Sequence, residues 1–252
     1  MDFGGKTVLI TGGSRGIGRA CAIQFAAHGA KVMVHYHRSQ AGAEDTLRLM
    51  KGEGHHIVQA DIADADAVRR MVKTSVEQLG RLDILVNNAG IYEEHKIDDV
   101  DFEVWRTAWR EILDTNLVGA ANTAYWAAQQ MIRQGGGHIV NVSSRGAFRG
   151  EPDAPAYGAS KAGMNAMSQS LAKALAPHLI SVTAVAPGWV ETDMAADYLN
   201  SPAGEAIRGQ SPMGRVATPD EVAHTVLFLA SAQSLFLTGA IVDVNGASYL
   251  RT

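Results

Sequence analysis

Apolar and polar positions alternate along the chain in blocks, and seven short runs are rich in apolar and β-branched residues. Longer stretches with the spacing of amphipathic helices separate these runs. One such stretch begins after Asp64 and stops at Gly80, a glycine placed where helices end. The pattern therefore predicts strands alternating with helices, with strands at Thr7–Thr11, Lys31–His35, Ile57–Ala60, Ile84–Asn87, His138–Val142, Ile180–Ala186 and Ile241–Val244.

Strands without a polar face, joined by connections of helix length, form parallel sheets covered by helices on both sides. We therefore expect an α/β fold, a single-domain, doubly wound sheet of the Rossmann type with about seven parallel strands, spanning residues 1–252. The least regular stretches, Ile91–Asp101 and Trp189–Val216, both follow strands. Ligands bind at the carboxyl end of such sheets, so these stretches are the expected substrate loops.

A glycine-rich turn separates the first predicted strand from the first predicted helix, which is expected over Arg19–His28 and capped by Gly29. Glycines let the backbone approach a pyrophosphate closely, and the helix N-terminus favours its negative charge. A nucleoside triphosphate loop would end in Gly-Lys-Ser/Thr, whereas here Arg19-Ala20 follows the last glycine. The turn therefore indicates a dinucleotide site, formed by Gly12, Ser14, Arg15, Gly16, Ile17 and Gly18.

The end of the second strand favours NADP(H) over NAD(H). NAD sites place a carboxylate there to bind the adenosine ribose, but this chain has no acidic residue between Lys31 and Glu44. Arg38 stands there instead, and Arg15 lies in the glycine turn. Guanidinium groups match the 2′-phosphate of NADP in geometry and charge. The alternative is that both arginines are only solvated.

Composition narrows the classes of function. Apolar residues make up 46% of the chain, charged residues 19%, and the formal net charge is −4, without blocks of one sign. This balance indicates a folded protein with no nucleic-acid or membrane partner. The start lacks an apolar signal segment, so we expect a cytoplasmic location. The lone Cys21 is expected in the core, and the histidines show no metal-ligand spacing beyond the pair His55-His56, so no metal is expected.

Tyr157 and Lys161 are four residues apart in a predicted helix, so their side chains share a face. A free tyrosine has a pKa of about 10. A nearby ammonium and an oxidised nicotinamide would both favour the phenolate, and we expect them to lower the pKa by about 2–3 units. Such a tyrosine could exchange a proton with a carbonyl or an alcohol.

Five motifs together resemble those of the short-chain dehydrogenase/reductase family over essentially the whole chain. They are Thr11-Gly12-x-x-x-Gly16-x-Gly18, Asn87-Asn88-Ala89-Gly90, Ser144, Tyr157-x-x-x-Lys161 and Pro187-Gly188. The chain is most similar to the branch of 3-oxoacyl-carrier-protein reductases and of sugar or polyol dehydrogenases. One departure is the run Phe102–Ala108, which has an additional Trp105 and looks longer than usual in this branch.

The resemblance implies a hydride transfer that interconverts a ketone and a secondary alcohol, in a homotetramer paired through the apolar segment Leu235–Val242. It implies that the catalytic residues are Asn116, Ser144, Tyr157 and Lys161, and the 13-residue offset to Tyr157 selects Ser144 over Ser143. The last two residues also contact the cofactor. It further implies contacts with the adenine for Asp61 and Ile62 and with the adenosine end for Asn88, Ala89 and Gly90. Contacts with the nicotinamide carboxamide are implied for Pro187, Gly188, Val190 and Thr192.

The substrate and two other functions stay open. Arg145, Phe148 and Arg149 would suit an anionic or carrier-borne acyl group, whereas Glu93, Glu94 and His95 would suit a hydroxylated small molecule. A binding protein that senses the dinucleotide without reaction should have lost Tyr157 or Lys161. A dehydratase or epimerase would need a larger C-terminal substrate domain than the sequence offers.

Overall fold

The computed structural model describes residues 1–251, and its centre is one parallel sheet. The strands are arranged in the order β3-β2-β1-β4-β5-β6-β7 across the sheet. The expected doubly wound fold is confirmed, and each strand lies within one residue of its predicted bounds at either end. The strands are β1 (Thr7–Ile10), β2 (Lys31–Tyr36), β3 (His56–Gln59), β4 (Ile84–Asn87), β5 (Gly137–Val142), β6 (Ile180–Pro187) and β7 (Ile241–Val244).

Ten α-helices connect these strands and cover both faces of the sheet. Short 3₁₀ turns lie at Ala176–His178 and Ala232–Leu237. The helices are α1 (Gly16–Ala27), α2 (Gln40–Leu49), α3 (Ala65–Leu79), α4 (Phe102–Leu113), α5 (Ala120–Gln134), α6 (Gly146–Arg149), α7 (Pro155–Leu175), α8 (Asp193–Leu199), α9 (Gly204–Gly209) and α10 (Pro219–Leu229).

Alternate residues of each strand pack into two separate cores. Val8 and Ile10 face a core shared with α1, α2 and α10, whereas Leu9 between them faces a core shared with α3, α5 and α7. Side chains of a strand point alternately to the two faces, so a strand covered on both sides must be apolar throughout. This is why the strands were visible as unbroken apolar runs. Cys21 is fully buried in the first core, as expected.

Capping residues define the ends of the helices, and two helical segments differ from those predicted. Asp64 caps α3 by accepting hydrogen bonds from the amides of Asp66 and Ala67, and Gly80 ends that helix with a φ of 81°. Helix α1 begins at Gly16, three residues before the predicted start, because the glycine turn leads straight into helical conformation. The stretch 189–216 was predicted to be irregular, but it contains α8 and α9, which pack on a small apolar cluster of their own.

A π-helical turn, Asp114–Gly119, joins α4 to α5. It comes after the run that departs from the family pattern, in which Trp105 packs against His95 and Trp109. The turn holds Asn116 fully buried, below the carboxyl end of the sheet. Strand order reverses between β1 and β4, and in such folds the crevice at this reversal is the ligand site.

Candidate active site

The turn after β1 is built for close approach by a ligand. Gly12 has a φ of +65°, and a Cβ added there would lie 3.0 Å from the Cα of Ala89. A Cβ on Gly18 would lie 2.3 Å from the carbonyl oxygen of Gly12, so the position accepts only glycine without rearrangement. At the start of α1 no side chain caps the helix, and its first turn contains no acidic residue. These free amides fit the phosphates of a dinucleotide.

A hydrogen-bonded cradle connects this turn to the segment after β4. The side chain of Asn88 donates to the carbonyl oxygens of Thr11 and Gly12, at 3.0 Å each. In return, the hydroxyl of Thr11 accepts from the backbone amides of Asn88 and Ala89. Next along the chain, a Cβ on Gly90 would lie 3.2 Å from Asn116 Oδ1 and 3.5 Å from Lys161 Nζ. The segment 88–90 therefore runs from the glycine turn to the candidate catalytic residues.

His35 supports the glycine turn through its hydrogen bonds, and it was not among the site residues predicted from the sequence. Its Nδ1 accepts a hydrogen bond from the amide of Gly12 at 3.0 Å, while its Nε2 lies 3.1 Å from the carbonyl oxygen of Ala60. The ring is therefore neutral, with its proton on Nε2, and burial lowers the pKa to about 4. Ala60 precedes Asp61 and Ile62, the expected adenine contacts. The sequence does contain a signal for this role, because His35 is a polar residue at a buried position of the otherwise largely apolar strand β2.

A His35→Leu variant is expected to bind NADPH about tenfold more weakly, with kcat at saturating cofactor close to that of the parent chain. The substitution leaves the Gly12 amide and the Ala60 carbonyl without partners, each at a cost of about 1–3 kcal/mol. Fluorescence titration with NADPH measures the change. His35→Asn places an oxygen near the position of Nδ1 and should restore most of the affinity. Equal affinity in all three proteins would contradict this role.

The residues expected at the adenosine end are largely exposed. Arg38 is exposed, and Arg15 has only a 3.9 Å ion pair with Asp193, in which both side chains are more than half exposed. Asp61 lies 3.8 Å from His37, whereas Ile62 is buried. Two cationic side chains are thus accessible beside the glycine turn, where a ribose phosphate would lie.

The segment expected at the nicotinamide reaches back to the same turn. Pro187 ends β6, and Gly188 donates its amide to the carbonyl oxygen of Val244. Val190 is buried and pairs with Ala217 as an isolated bridge. A Cβ on Gly16 would lie 3.1 Å from Cγ2 of Thr192. The segment expected at the nicotinamide is therefore in contact with the turn expected at the phosphates.

The four candidate catalytic residues come from three elements at the carboxyl end of the sheet. Ser144 comes after β5, Tyr157 and Lys161 lie on α7, and Asn116 lies in the π turn. The ammonium of Lys161 donates to the carbonyl oxygen of Val142 at 2.8 Å and lies 5.7 Å from the centre of the Tyr157 ring. Asn116 is fixed by paired hydrogen bonds with the backbone of Ile91, at 2.8 and 2.9 Å.

The lowering of the tyrosine pKa was expected with an oxidised nicotinamide beside Tyr157, and in the chain without cofactor the shift has the opposite direction. Burial raises the pKa of Tyr157 to about 12, although a hydrogen bond with the Ser144 side chain opposes the rise. Burial also lowers the pKa of Lys161 to about 8. Desolvation disfavours the phenolate and is the largest cause of the rise, and the charge of Glu151 adds to it. Tyr157 is therefore neutral in the free chain at neutral pH.

A row of aromatic rings covers the outer side of Tyr157. The ring of Tyr92 lies edge-on to Tyr157 at 5.2 Å and to Tyr198 at 6.1 Å, and Trp189 lies 5.5 Å from Tyr198. Burial and the neighbouring Glu94 raise the pKa of Tyr198 to about 12, which places this carboxylate beside the row. The row links the loop after β4 to α8 over the candidate catalytic residues. Neither Tyr92 nor Tyr198 was singled out from the sequence, because only tertiary packing brings them together.

The structure corrects the role of several residues proposed as substrate contacts. His95 is fully buried, and its ring accepts from the Ala156 amide, so it supports α7 rather than facing a substrate. Arg149 pairs with Glu151, and Phe148 packs under Arg251. Arg145 points away, toward Ser248 and Gln210. Of the two sets of proposed substrate contacts, only the set of Glu93, Glu94 and His95 has a member beside the aromatic row, because Glu94 lies next to Tyr198.

Comparisons with known proteins agree with this geometry. A family model described as enoyl-(acyl carrier protein) reductase matches residues 12–247. The chain is 40% identical over 247 residues to 3-oxoacyl-[acyl-carrier-protein] reductase FabG of Staphylococcus aureus, covering 97% of this chain and 98% of the relative. The chain belongs to the short-chain dehydrogenase/reductase family. It is therefore an oxidoreductase by family.

Two further relatives show the breadth of this family. L-rhamnose 1-dehydrogenase (NAD(P)(+)) of Sphingomonas sp. is 38% identical over 250 residues, covering 98% of this chain and 97% of the relative. A short chain dehydrogenase of Burkholderia cenocepacia, solved in complex with NADP, is 33% identical with a TM-score of 0.88, covering 98% of this chain and 99% of that one. Reductases and sugar dehydrogenases are thus about equally similar to this family member.

The described residues offer neither a membrane segment nor a metal cluster. None of the helices in residues 1–251 combines the length and the apolar composition that crossing a bilayer requires. Within the same part of the chain, no group of three or more His, Cys, Asp or Glu side chains is arranged to hold a metal ion. His55 instead accepts a hydrogen bond from the Val32 amide beside β3.

Proposed function

We propose that this family member is an NADP(H)-dependent oxidoreductase that reduces the ketone of a 3-oxoacyl thioester or oxidises the corresponding alcohol. The observation that carries the proposal is the convergence of Ser144, Tyr157, Lys161 and Asn116 beside a glycine turn fitted to phosphates. The bound cofactor would supply or accept the hydride. Tyr157 donates a proton to the carbonyl oxygen in reduction and takes one from the alcohol in oxidation.

The other three residues support Tyr157. Ser144 hydrogen-bonds to the tyrosine and can hold the same substrate oxygen. Lys161, with a pKa of about 8, can carry a proton or release it near neutral pH. Asn116 forms paired hydrogen bonds with the backbone of Ile91, and we assign it the support of a water-linked proton path through Lys161. We assign Asp61, Ile62 and segments 88–90 and 187–192 to the cofactor, as expected from the sequence.

Removing the two accessible arginines should weaken NADPH more than NADH. We expect Arg38→Ala and Arg15→Ala each to raise the Kd for NADPH about 10–100-fold, because a charge-assisted hydrogen bond contributes about 1.5–3 kcal/mol. The Kd for NADH should stay constant, and so should both constants in Arg48→Ala, an exposed arginine paired with Asp45. Tighter binding of NADH than NADPH by the parent chain would refute the cofactor preference.

A sugar or polyol dehydrogenase is the second candidate. It is favoured by the pair Glu94–Tyr198, which offers hydrogen bonds to hydroxyl groups over Tyr157, and by the rhamnose dehydrogenase relative. A kinetic screen of 3-oxoacyl thioesters, simple ketones and polyols with both nicotinamides separates the candidates. Turnover of thioesters alone supports the first and turnover of polyols alone supports the second. Silence on every compound, with NADPH bound, would favour a dinucleotide sensor.

Three further proposals come from the sequence analysis. We propose that segments 91–101 and 189–216 bind the substrate, since the aromatic row joins them over Tyr157. We also propose a homotetramer, supported by the complete exposure of Phe236 beside β7 at the sheet edge. Sedimentation showing only monomer would overturn it. The cytoplasmic location stays a prediction.

A further inference from the structure

A second cavity lies behind the candidate active site, between the carboxyl ends of β6 and β7 and the segment 207–217. Its volume is about 210 Å³. Its wall includes Arg145, Trp189, Ser211, Asp243, Asn245 and Ser248. Ser144, Tyr157 and the glycine turn are not part of this wall. Trp189, the last ring of the aromatic row, separates the cavity from the substrate side.

Arg145 is the unusual group in this wall, because it is a buried cation without a counter-charge. The residue is only 3% exposed. Its Nη1 and Nη2 donate to two neutral acceptors, the hydroxyl of Ser248 and the side-chain oxygen of Gln210. Over residues 1–251, no carboxylate oxygen lies within 4.0 Å of its guanidinium, although three neighbouring arginines each have such a partner.

The two carboxylates of the same wall are already engaged. Glu221 pairs with Arg215, and Asp243 pairs with Arg251 at 2.7 Å. Burial lowers the pKa of Arg145 to about 10, which leaves it charged at neutral pH. A charged group removed from water is stabilised by an opposite charge and by hydrogen bonds to its remaining donors. The cavity therefore combines a buried cation that has no carboxylate within ion-pair distance with two serine hydroxyls and one amide side chain.

We propose that this cavity binds a small oxyanion, a phosphate or a carboxylate, through the guanidinium of Arg145, with Ser211, Ser248 and Asn245 as further polar contacts. The planar fork of arginine matches two oxygens of such an anion. At about 30 Å³ per water, the volume equals about seven waters, which suits a phosphate or a short carboxylate. Typical pockets for larger organic ligands begin at about 300 Å³.

The position of this site couples it to the reaction. Arg145 directly follows Ser144, and its backbone amide donates to the carbonyl oxygen of Pro187 at 2.9 Å. An anion that fixes Arg145 therefore also fixes the chain at the candidate catalytic serine and at the segment assigned to the nicotinamide. The site is separate from the cofactor phosphates, so the inference goes beyond the proposed function.

Calorimetric titration of the full chain tests the proposal. Inorganic phosphate and acetate are titrated separately at constant ionic strength, with NADP⁺ present so that the cofactor phosphate site is filled. We expect saturable binding of at least one anion, weakened tenfold or more in Arg145→Gln. Arg133→Gln, which removes an exposed arginine on α5 outside this wall, should change it less than threefold. Phosphate and acetate affinities show which oxyanion the cavity prefers.

Two results would overturn the proposal: heats without saturation in the parent chain, or equal affinity in Arg145→Gln. If Arg145→Gln does not fold, the melting temperature of the parent chain decides, since a specific anion must raise it saturably at constant ionic strength. A chain that fails to bind NADP⁺ contradicts the proposed function instead. In that case phosphate and acetate are titrated into Arg15→Ala without cofactor, because this substitution weakens any phosphate site at the glycine turn. Saturable binding then supports the anion site, and heats without saturation overturn it.

Discussion

A Tyr157→Phe variant is expected to lose nearly all turnover while binding NADPH as the parent chain does. The substitution removes the hydroxyl that exchanges a proton with the substrate oxygen, a contribution of about 10²–10⁴-fold in kcat. It retains the ring, so the edge-on contact with Tyr92 and the packing of α7 persist. Steady-state kinetics on the best substrate from the screen, together with NADPH fluorescence titration, measures both quantities.

Tyr125→Phe is the matched control for this variant, because it deletes the same hydroxyl from an exposed tyrosine on α5. Its kcat and its NADPH affinity should both equal those of the parent chain. If Tyr157→Phe keeps more than a tenth of the parent kcat, another group donates the proton and the proposed mechanism fails. If it loses NADPH binding as well, the lost turnover does not isolate the proton transfer, because Tyr157 is also an expected cofactor contact.

Lys161→Met is expected to stabilise the free protein and to abolish its activity. Lys161 is 4% exposed and its ammonium donates only to the Val142 carbonyl oxygen. Burial lowers its pKa from 10.5 to about 8. At neutral pH this buried charge costs about 3–4 kcal/mol, since each pKa unit corresponds to about 1.4 kcal/mol. An apolar side chain of similar length removes that cost, while kcat should fall about 10²-fold or more.

The pH dependence of stability separates this effect from general repacking. The folded pKa of Lys161 lies below its unfolded value, so the unfolded chain binds the proton more tightly between about pH 8 and 10.5. Stability of the parent chain should therefore rise across that window relative to Lys161→Met, whose advantage is largest below pH 8. Thermal unfolding at several pH values measures the difference. Lys173→Met, at an exposed position of the same helix, should show neither change.

The fold was accessible from the sequence because its strands are buried on both faces. Such strands leave unbroken apolar runs, and their alternate residues fill two cores, as Val8 and Leu9 illustrate. The glycine turn was equally accessible, since only glycine fits at Gly18. The spacing of Tyr157 and Lys161 placed both on one helical face. These features depend on residues close together in the chain.

The remaining features depend on residues far apart in the chain, which spacing cannot reveal. His35 contacts Gly12 and Ala60, each more than twenty residues away. The direction of the Arg145 side chain depends on Gln210 and Ser248, contributed by segments that fold against it from the other end of the protein. In the chain without cofactor the pKa of Tyr157 is raised rather than lowered, because the sequence gives the neighbouring charge but not the depth of burial.

The π turn at Asp114–Gly119 makes the protein sensitive to chain length at one particular place. A π turn carries an additional residue compared with an α-helical turn. Deleting one residue there would convert the segment to regular helix and rotate α5 by about 100° relative to α4. The amide of Asn116 would then leave the Ile91 backbone. Substitutions along α4 and α5 would therefore leave this geometry in place. An insertion or deletion between the two helices would instead displace Asn116 from the candidate active site.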